Sequence, residues 1–409
     1  MAKEVTTATD TVCGDVDEGY GRVADAFRRN LSSGHEIGAA VTVYRDGRKV
    51  VDLWGGYRNG HTRAPWQQDT LVNVFSTTKG VSSLAVALAV SRGLLDYDTR
   101  VAEYWPEFAQ AGKGAITVRQ LLGHQAGLVR ITPPLTLADI ADPARLSERI
   151  AAQSPAWVPG TRHGYHAVTL GWYESELIRQ VDPRARTIGR FLADEIAGPL
   201  DLDFHIGLPA SVDRNRVAHL HTFPKSAPLL HLNAFPPRLV AALFNPRSLS
   251  AQAFTVAKGV SEAGELNKDE MRVLEIPAGN GTGTARSVAK LYGSAATGDA
   301  QLGLTQAVRD ALQAPAVAPA MGVRDKVAYM DTSYSLGFGK PTPTFMFGSS
   351  DKAFGWPGFG GSIGFADPDT GIGFAYVMNK LGYNSFNDSR QVALRQALFR
   401  DVLGARTQV

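Results

Sequence analysis

The chain has 409 residues, 44% of them hydrophobic and 20% charged, with a formal net charge of +3 and a sequence pI near 8.9. This is the composition of a globular chain long enough for a large core. There is no basic run, no arginine stripe interleaved with aromatics and no acidic tail, so the sequence points to no nucleic-acid partner. The single cysteine, Cys13, excludes a disulfide within the chain.

The first residues, MAKEVTTATDTVCGDVDEGYG, lack an apolar h-region and a cleavage-site pattern. No Sec signal is read there, and a cytoplasmic location is expected. No run of about 18 apolar residues offers a membrane span.

VDEGYGRVADAFRRNLSSG places Val23, Phe27 and Leu31 on one stripe, which predicts an amphipathic helix. IGAAVTVYRDGRKVVDLWGGY then alternates around Asp46-Gly47, and Asp-Gly between two such runs predicts a β-hairpin. VFSTTKGVSSLAVALAV follows, a nearly wholly apolar helix stopping near Gly93. From about Leu94 to Ala278 the pattern is mostly helical: TVRQLLGHQAGL starts from an N-cap at Thr117, and VTLGWYESELIRQVD and TIGRFLADEIAGPL carry helical spacing. Thr222 to Pro246 holds five prolines, which argues against continuous helix. That stretch reads as a loop, a lid or a wall over a pocket. Beyond GNGTGTARSVAKLYG, a glycine-rich loop feeding a helix, the tail reads as short antiparallel strands and a closing helix, SRQVALRQALFRDVLG. A hairpin first, helices in the middle and strands last predict a discontinuous α/β domain (1–93 and 279–409) with a mostly helical domain (94–278) inserted, the site lying in the cleft between them.

The chemistry-bearing feature is Ser76-Thr-Thr-Lys79. The i, i+3 spacing puts both side chains on one helix face. A serine hydroxyl needs a base within hydrogen-bond reach, and desolvation favours the neutral lysine amine that could serve. At the first helical turn Ser76 also lies near unpaired backbone N–H groups suited to an oxyanion. A plain N-cap followed by a solvated lysine is the alternative. A second copy of the pattern, Ser287-Val-Ala-Lys290, sits on a helix with mixed neighbours and reads as ordinary.

In these segments the sequence resembles the serine hydrolases built like class C β-lactamases and penicillin-binding proteins, particularly the family VIII carboxylesterases. FSTTKG is similar to the family's S-x-x-K element, and GLLDYDTRVAEYWPEF, ITVRQLLGHQAGL and NGTGTARSVAKLYG are similar to segments outside its chemistry. The resemblance implies an α+β, β-lactamase/transpeptidase-like fold: an antiparallel sheet flanked by helices, plus a mostly helical domain. It implies that Tyr165, downstream of Pro159-Gly160, shares the base role with Lys79, an adjacent ammonium stabilising its phenolate. Many relatives carry an asparagine two residues after that tyrosine, where this chain has Ala167. Where lactamases have Lys-Thr-Gly, this chain has Trp356-Pro357-Gly358, so the cation that would pair with a β-lactam carboxylate is missing. That favours neutral esters or amides. The Phe359 N–H is expected to complete an oxyanion hole with that of Ser76, and His166 to line the pocket beside Trp356 and Gly358.

Gly360 to Gly364 satisfies G-x-S-x-G around Ser362, but a hairpin rather than a helix follows and no histidine stands downstream, so the α/β-hydrolase reading fails. His219-x-His221 could ligate a metal from a strand, yet no third ligand has matching spacing, so no metal and no other cofactor is expected. His124 reads as support for a turn. The expected activity is hydrolysis of small or medium acyl esters through an acyl-enzyme on Ser76. Amidase, weak β-lactamase or peptidase, and acyltransferase activities on the same fold stay open, as does a catalytically silent binding or scaffold protein.

Overall fold

The computed structural model describes residues 12–223, 236–257, 259–260, 262–384 and 386–405. The chain opens with β1 (Val12–Val16), α1 (Gly21–Ser32), β2 (Gly38–Arg45) and β3 (Arg48–Asn59). Asp46 and Gly47 join β2 to β3 with φ of 50° and 78°, the left-handed backbone that a two-residue hairpin requires. The buried stripe of α1 includes Val23, Phe27 and Leu31. β1 was not anticipated. It is a mostly exposed edge strand with an Asp and a Gly in five residues, so it has no apolar alternation to reveal it.

Next comes α2 (Thr77–Ser91), buried from Thr77 through Ala89. A helix apolar on every side must be surrounded. It packs on α3 (Thr169–Val181) and on the short helix Ile188–Leu192 of the middle segment, which continues as a wider turn through Ala197. Further along come α4 (Ala285–Thr297), β4 (Tyr334–Ser335), β5 (Phe338–Gly339), β6 (Phe354–Pro357), β7 (Ile363–Asp367), β8 (Ile372–Met378) and α5 (Ser389–Gln396), with the helix Gln306–Gln313 between α4 and β4.

The sheet runs β1-β3-β2-β8-β7-β6-β5-β4, antiparallel at every pair, with the short strand Ala64–Pro65 added beside β3. The two ends of the chain meet where β8 pairs with β2, Tyr376 opposite Val41. Successive residues of β7 show which helix covers which face. A Cβ on Gly364 would lie 2.6 Å from Val288 of α4, whereas the next residue, Phe365, packs on Phe399 beyond α5 at 5.9 Å. The sheet is therefore sandwiched, with α4 on one side and the carboxy-terminal helix, joined by α1, on the other.

Between α2 and α4 the chain is mostly short helices, among them Val118–Leu122, Leu137–Ala141 and Pro143–Ala151. The first is shorter than its sequence predicts. Thr117 and Gln120 form a capping box as the N-cap requires, but Gly123 ends the helix and His124 takes φ 58°. Phe204–His205 pairs with Thr282–Gly283, which also pairs with Val72–Asn73, forming a second small sheet immediately before Ser76. Of the proline-rich stretch, residues 224–235 lie outside the described residues, and Pro237–Leu243 forms a short helix entered through Pro236. No helix among the described residues is long and apolar enough to cross a membrane.

Candidate active site

Ser76 caps α2, at the edge where the helical segment meets β6 and β7. Phe75 before it sits at φ 48°, a left-handed backbone that costs a non-glycine residue about 1–3 kcal/mol. Neighbours hold that elbow. Asn73 Oδ1 accepts the Phe75 N–H at 3.0 Å, and the Thr78 hydroxyl donates to the Phe75 carbonyl. The Val74 N–H donates to the Gly281 carbonyl at 2.9 Å, tying the elbow to the small sheet.

Lys79 is fully buried one turn on. Its Nζ lies 2.7 Å from the Ala167 carbonyl oxygen, 2.8 Å from that of Ala278 and 3.1 Å from Ser76 Oγ. Burial pushes the amine down to about 7, only partly offset by the Glu174 carboxyl. A neutral amine has two N–H groups and one lone pair. With the two carbonyls taking the N–H groups, the lone pair is left for Ser76.

Tyr165 Oη donates to Ser76 Oγ at 2.7 Å, and Lys79 Nζ sits 4.8 Å from the tyrosine ring centre. Burial raises the phenol above its ordinary value, so it stays protonated. This direction favours the protonated phenol over the phenolate that the resemblance implies. His124 grips the chain on both sides of the tyrosine: its carbonyl accepts the Gly164 N–H at 3.1 Å and its Nδ1 accepts the His166 N–H at 2.9 Å.

The other expected residues fall less uniformly. Trp356 is 3% exposed, its indole N–H donating to the Gly337 carbonyl and its ring lying 5.5 Å from Tyr165 and 5.6 Å from Tyr334. It forms the wall behind the tyrosine. Gly358 spends its N–H on the Ser362 carbonyl at 2.7 Å. Its role is closeness, because a Cβ there would lie 2.1 Å from Ser362 Oγ and 2.3 Å from the Val74 oxygen. The N–H groups of Ser76 and Phe359 have no acceptor among the described residues, and the Phe359 ring packs edge-on to Phe75 at 5.7 Å. His166 does not line the pocket: it is fully buried, its Nε2 accepting the Leu128 N–H at 3.0 Å and its Nδ1 lying 2.8 Å from the Gly164 carbonyl. Tyr165 thus faces Ser76 while the neighbouring His166 faces the interior.

Ser362 is buried, its hydroxyl donating to the Val74 carbonyl at 2.9 Å beside Thr77 Oγ1. The second S-x-x-K is structural too. Ser287 Oγ accepts the Asp203 N–H and Lys290 Nζ donates to the Leu200 carbonyl. Sequence reasoning missed the carbonyls of Ala167 and Ala278, since every residue carries one and no side-chain pattern marks them. It also missed Glu174, buried on α3 with Ser83 donating to its Oε1 and its carboxyl pushed up to about 8 by burial. A glutamate on the apolar side of a helix was its one signal. His219 and His221 do have a third partner, His61, with one ring nitrogen of each within 4.8 Å of the others. Spacing could not show it, because His61 arrives from the turn after β3.

A beta-lactamase family profile matches residues 23–399. The chain belongs to the beta-lactamase family. Within that family it is 34% identical over 374 residues to the esterase/beta-lactamase LipL of Mycobacterium tuberculosis (strain ATCC 25618 / H37Rv), spanning 90% of this chain and 83% of LipL. The crystal structure of a family VIII carboxylesterase is similar at 34% identity and a TM-score of 0.81, covering 95% of this chain and 99% of that one. A penicillin-binding protein homologue from Caulobacter crescentus is similar at 38% identity and a TM-score of 0.80, covering 95% and 98%. The β-lactamase/transpeptidase-like fold expected from sequence is the fold observed, antiparallel sheet and flanking helices included.

Proposed function

We propose that this member of the beta-lactamase family is a serine hydrolase of the carboxylesterase type, cleaving esters of small or medium acyl chains through an acyl-enzyme on Ser76. The observation that carries the reading is the convergence of two groups on one hydroxyl. Tyr165 Oη is 2.7 Å and Lys79 Nζ 3.1 Å from Ser76 Oγ. The relatives named as esterases support it.

In the proposed course, Ser76 Oγ bonds to the ester carbonyl carbon as its proton passes to the neutral Lys79 amine. The N–H groups of Ser76 and Phe359 are the donors for the oxyanion. Collapse of the tetrahedral intermediate breaks the bond to the alcohol, and the proton on Lys79 returns to the leaving oxygen through the Tyr165 hydroxyl. Water then repeats the sequence on the acyl-enzyme, releasing the acid and restoring Ser76. A protonated phenol beside a neutral amine suits this relay, with lysine as base and tyrosine as proton carrier.

The ester preference rests on the third element. Where a lactamase would present a lysine to a carboxylate, the buried Trp356 indole lies behind Tyr165. An uncharged wall gives a β-lactam carboxylate no partner and leaves neutral acyl groups unpenalised. Turnover of p-nitrophenyl esters of graded chain length, with the Ser76→Ala protein as control, tests the reading. Hydrolysis lost in the variant supports it, and retained hydrolysis ends it.

A further inference from the structure

At the end of β3 lies a group of side chains that the proposed hydrolytic chemistry does not use. His61 stands exposed on the turn after β3, while His219 and His221 stand half-buried on an extended segment, with one nitrogen of each ring within 4.8 Å of the others. Backbone hydrogen bonds tie the His219–His221 segment to β3 and to the end of β8. The His219 N–H donates to the Arg58 carbonyl at 2.8 Å, and the His221 N–H to that of Asn379 at 2.7 Å. The His61 turn is closed by Asn59 Oδ1, which accepts the His61 N–H at 2.9 Å.

We infer that His61, His219 and His221 form a binding site for a borderline transition-metal ion, with Zn²⁺, Co²⁺ and Ni²⁺ as the ions that fit. Three imidazoles from two rigid segments, with a fourth position left to water, make a donor set that such ions accept. No carboxylate stands among them, and the charges bearing on the cluster, those of Arg272 and Lys380, are positive. Ca²⁺ and Mg²⁺, which need oxygen ligands, are therefore excluded. Bonds of about 2.0–2.1 Å in a tetrahedron set the nitrogens about 3.4 Å apart, so the rings must close inward by roughly an ångström. His61, exposed on its turn, has room to do this. The Gly60 N–H donates to His221 Nε2 at 3.0 Å, so an ion on that nitrogen exchanges one partner for another.

The ion would act as a clasp rather than a second catalytic centre. It links the β3 turn to the segment that continues from His221 to Phe223. The Phe223 ring packs against Tyr383 at 4.8 Å and Phe359 at 6.0 Å, beside the expected oxyanion donor. An ion bound only by the folded chain raises its melting temperature by mass action.

The test uses the chain without an added histidine tag, freed of metal with a chelator. Calorimetric titration with Zn²⁺ and the visible spectrum on adding Co²⁺ are recorded for the parent, His61→Ala and His219→Gln. One saturating ion per chain, a tetrahedral Co²⁺ spectrum and a raised Tm are expected for the parent, with affinity at least tenfold weaker in both variants and no response to Ca²⁺. Equal ester turnover and circular dichroism in the metal-free parent and His61→Ala establish that the variant is folded. No saturable binding by the parent, or binding undiminished in His61→Ala, overturns the proposal.

Discussion

Lys79 reaches the carbonyl oxygen of Ala167, 88 residues downstream, at 2.7 Å. Ala167 has no polar side chain to offer, and the main chain itself engages the lysine. A second carbonyl, from Ala278, completes the pair. This arrangement holds the buried amine beside Ser76 Oγ, and on the proposed mechanism the protonation state of Lys79 controls the site.

The pH profile follows from that switch. Burial lowers Lys79 from 10.5 to about 7, so on the proposed mechanism the neutral amine serves as base above that value and the ammonium below it does not. For a neutral ester, kcat/KM is expected to rise about tenfold per pH unit up to about pH 7 and then level off. Stability follows with the same sign. Between about 7 and 10.5 the unfolded lysine holds a proton that the folded one has lost, so this group's contribution to stability rises with pH across that window. Rate profiles and urea unfolding at a series of pH values check both, and a rate flat down to pH 5 would contradict the assignment of the base.

Tyr165→Phe removes the hydroxyl that touches Ser76 Oγ while leaving the ring against Trp356. A fall in kcat of about 10²–10⁴ with little change in KM is expected, the usual span for losing a positioned proton carrier. Steady-state kinetics with p-nitrophenyl butyrate measures it. A variant with parental kcat would remove the tyrosine from the proton path.

Ser362→Ala separates the two serine motifs. The Ser362 hydroxyl bonds to the Val74 carbonyl, so its loss is expected to cost about 1 kcal/mol of stability. Labelling by a fluorophosphonate should persist. Loss of labelling in a folded Ser362→Ala protein would revive the G-x-S-x-G reading.

Much of this was legible from residue chemistry. The hairpin at Asp46-Gly47, the apolar helix after Ser76 and the N-cap at Thr117 each follow from a local rule that the tertiary structure leaves in force. What escaped depends on contacts between distant segments. A backbone carbonyl carries no signature, His61 and His219 are far apart in sequence, and β1 is too polar to alternate. His166 was misplaced because neighbours in sequence need not share a face. The protonation state of Tyr165 is likewise out of reach of the sequence, because the desolvation that raises its phenol comes from distant segments.

Arg390 is the buried charge that fixes the loop after Gly358. It donates to Glu36 at 3.0 Å, to Asp388 at 2.8 Å and to the Gly360 carbonyl at 2.7 Å. Arg390→Met leaves two buried carboxyls without their cation and is expected to lower stability by about 3–5 kcal/mol. Urea denaturation reads the loss, and a change below about 1 kcal/mol would mean that the network is dispensable.

The most direct test is intact-mass spectrometry with peptide mapping after exposure to a fluorophosphonate and, in parallel, to an activated butyrate ester. The account predicts one adduct per chain, carried by the peptide containing Ser76 and absent from the Ser76→Ala protein. An adduct on any other serine, or ester hydrolysis by Ser76→Ala at the parental rate, would contradict it.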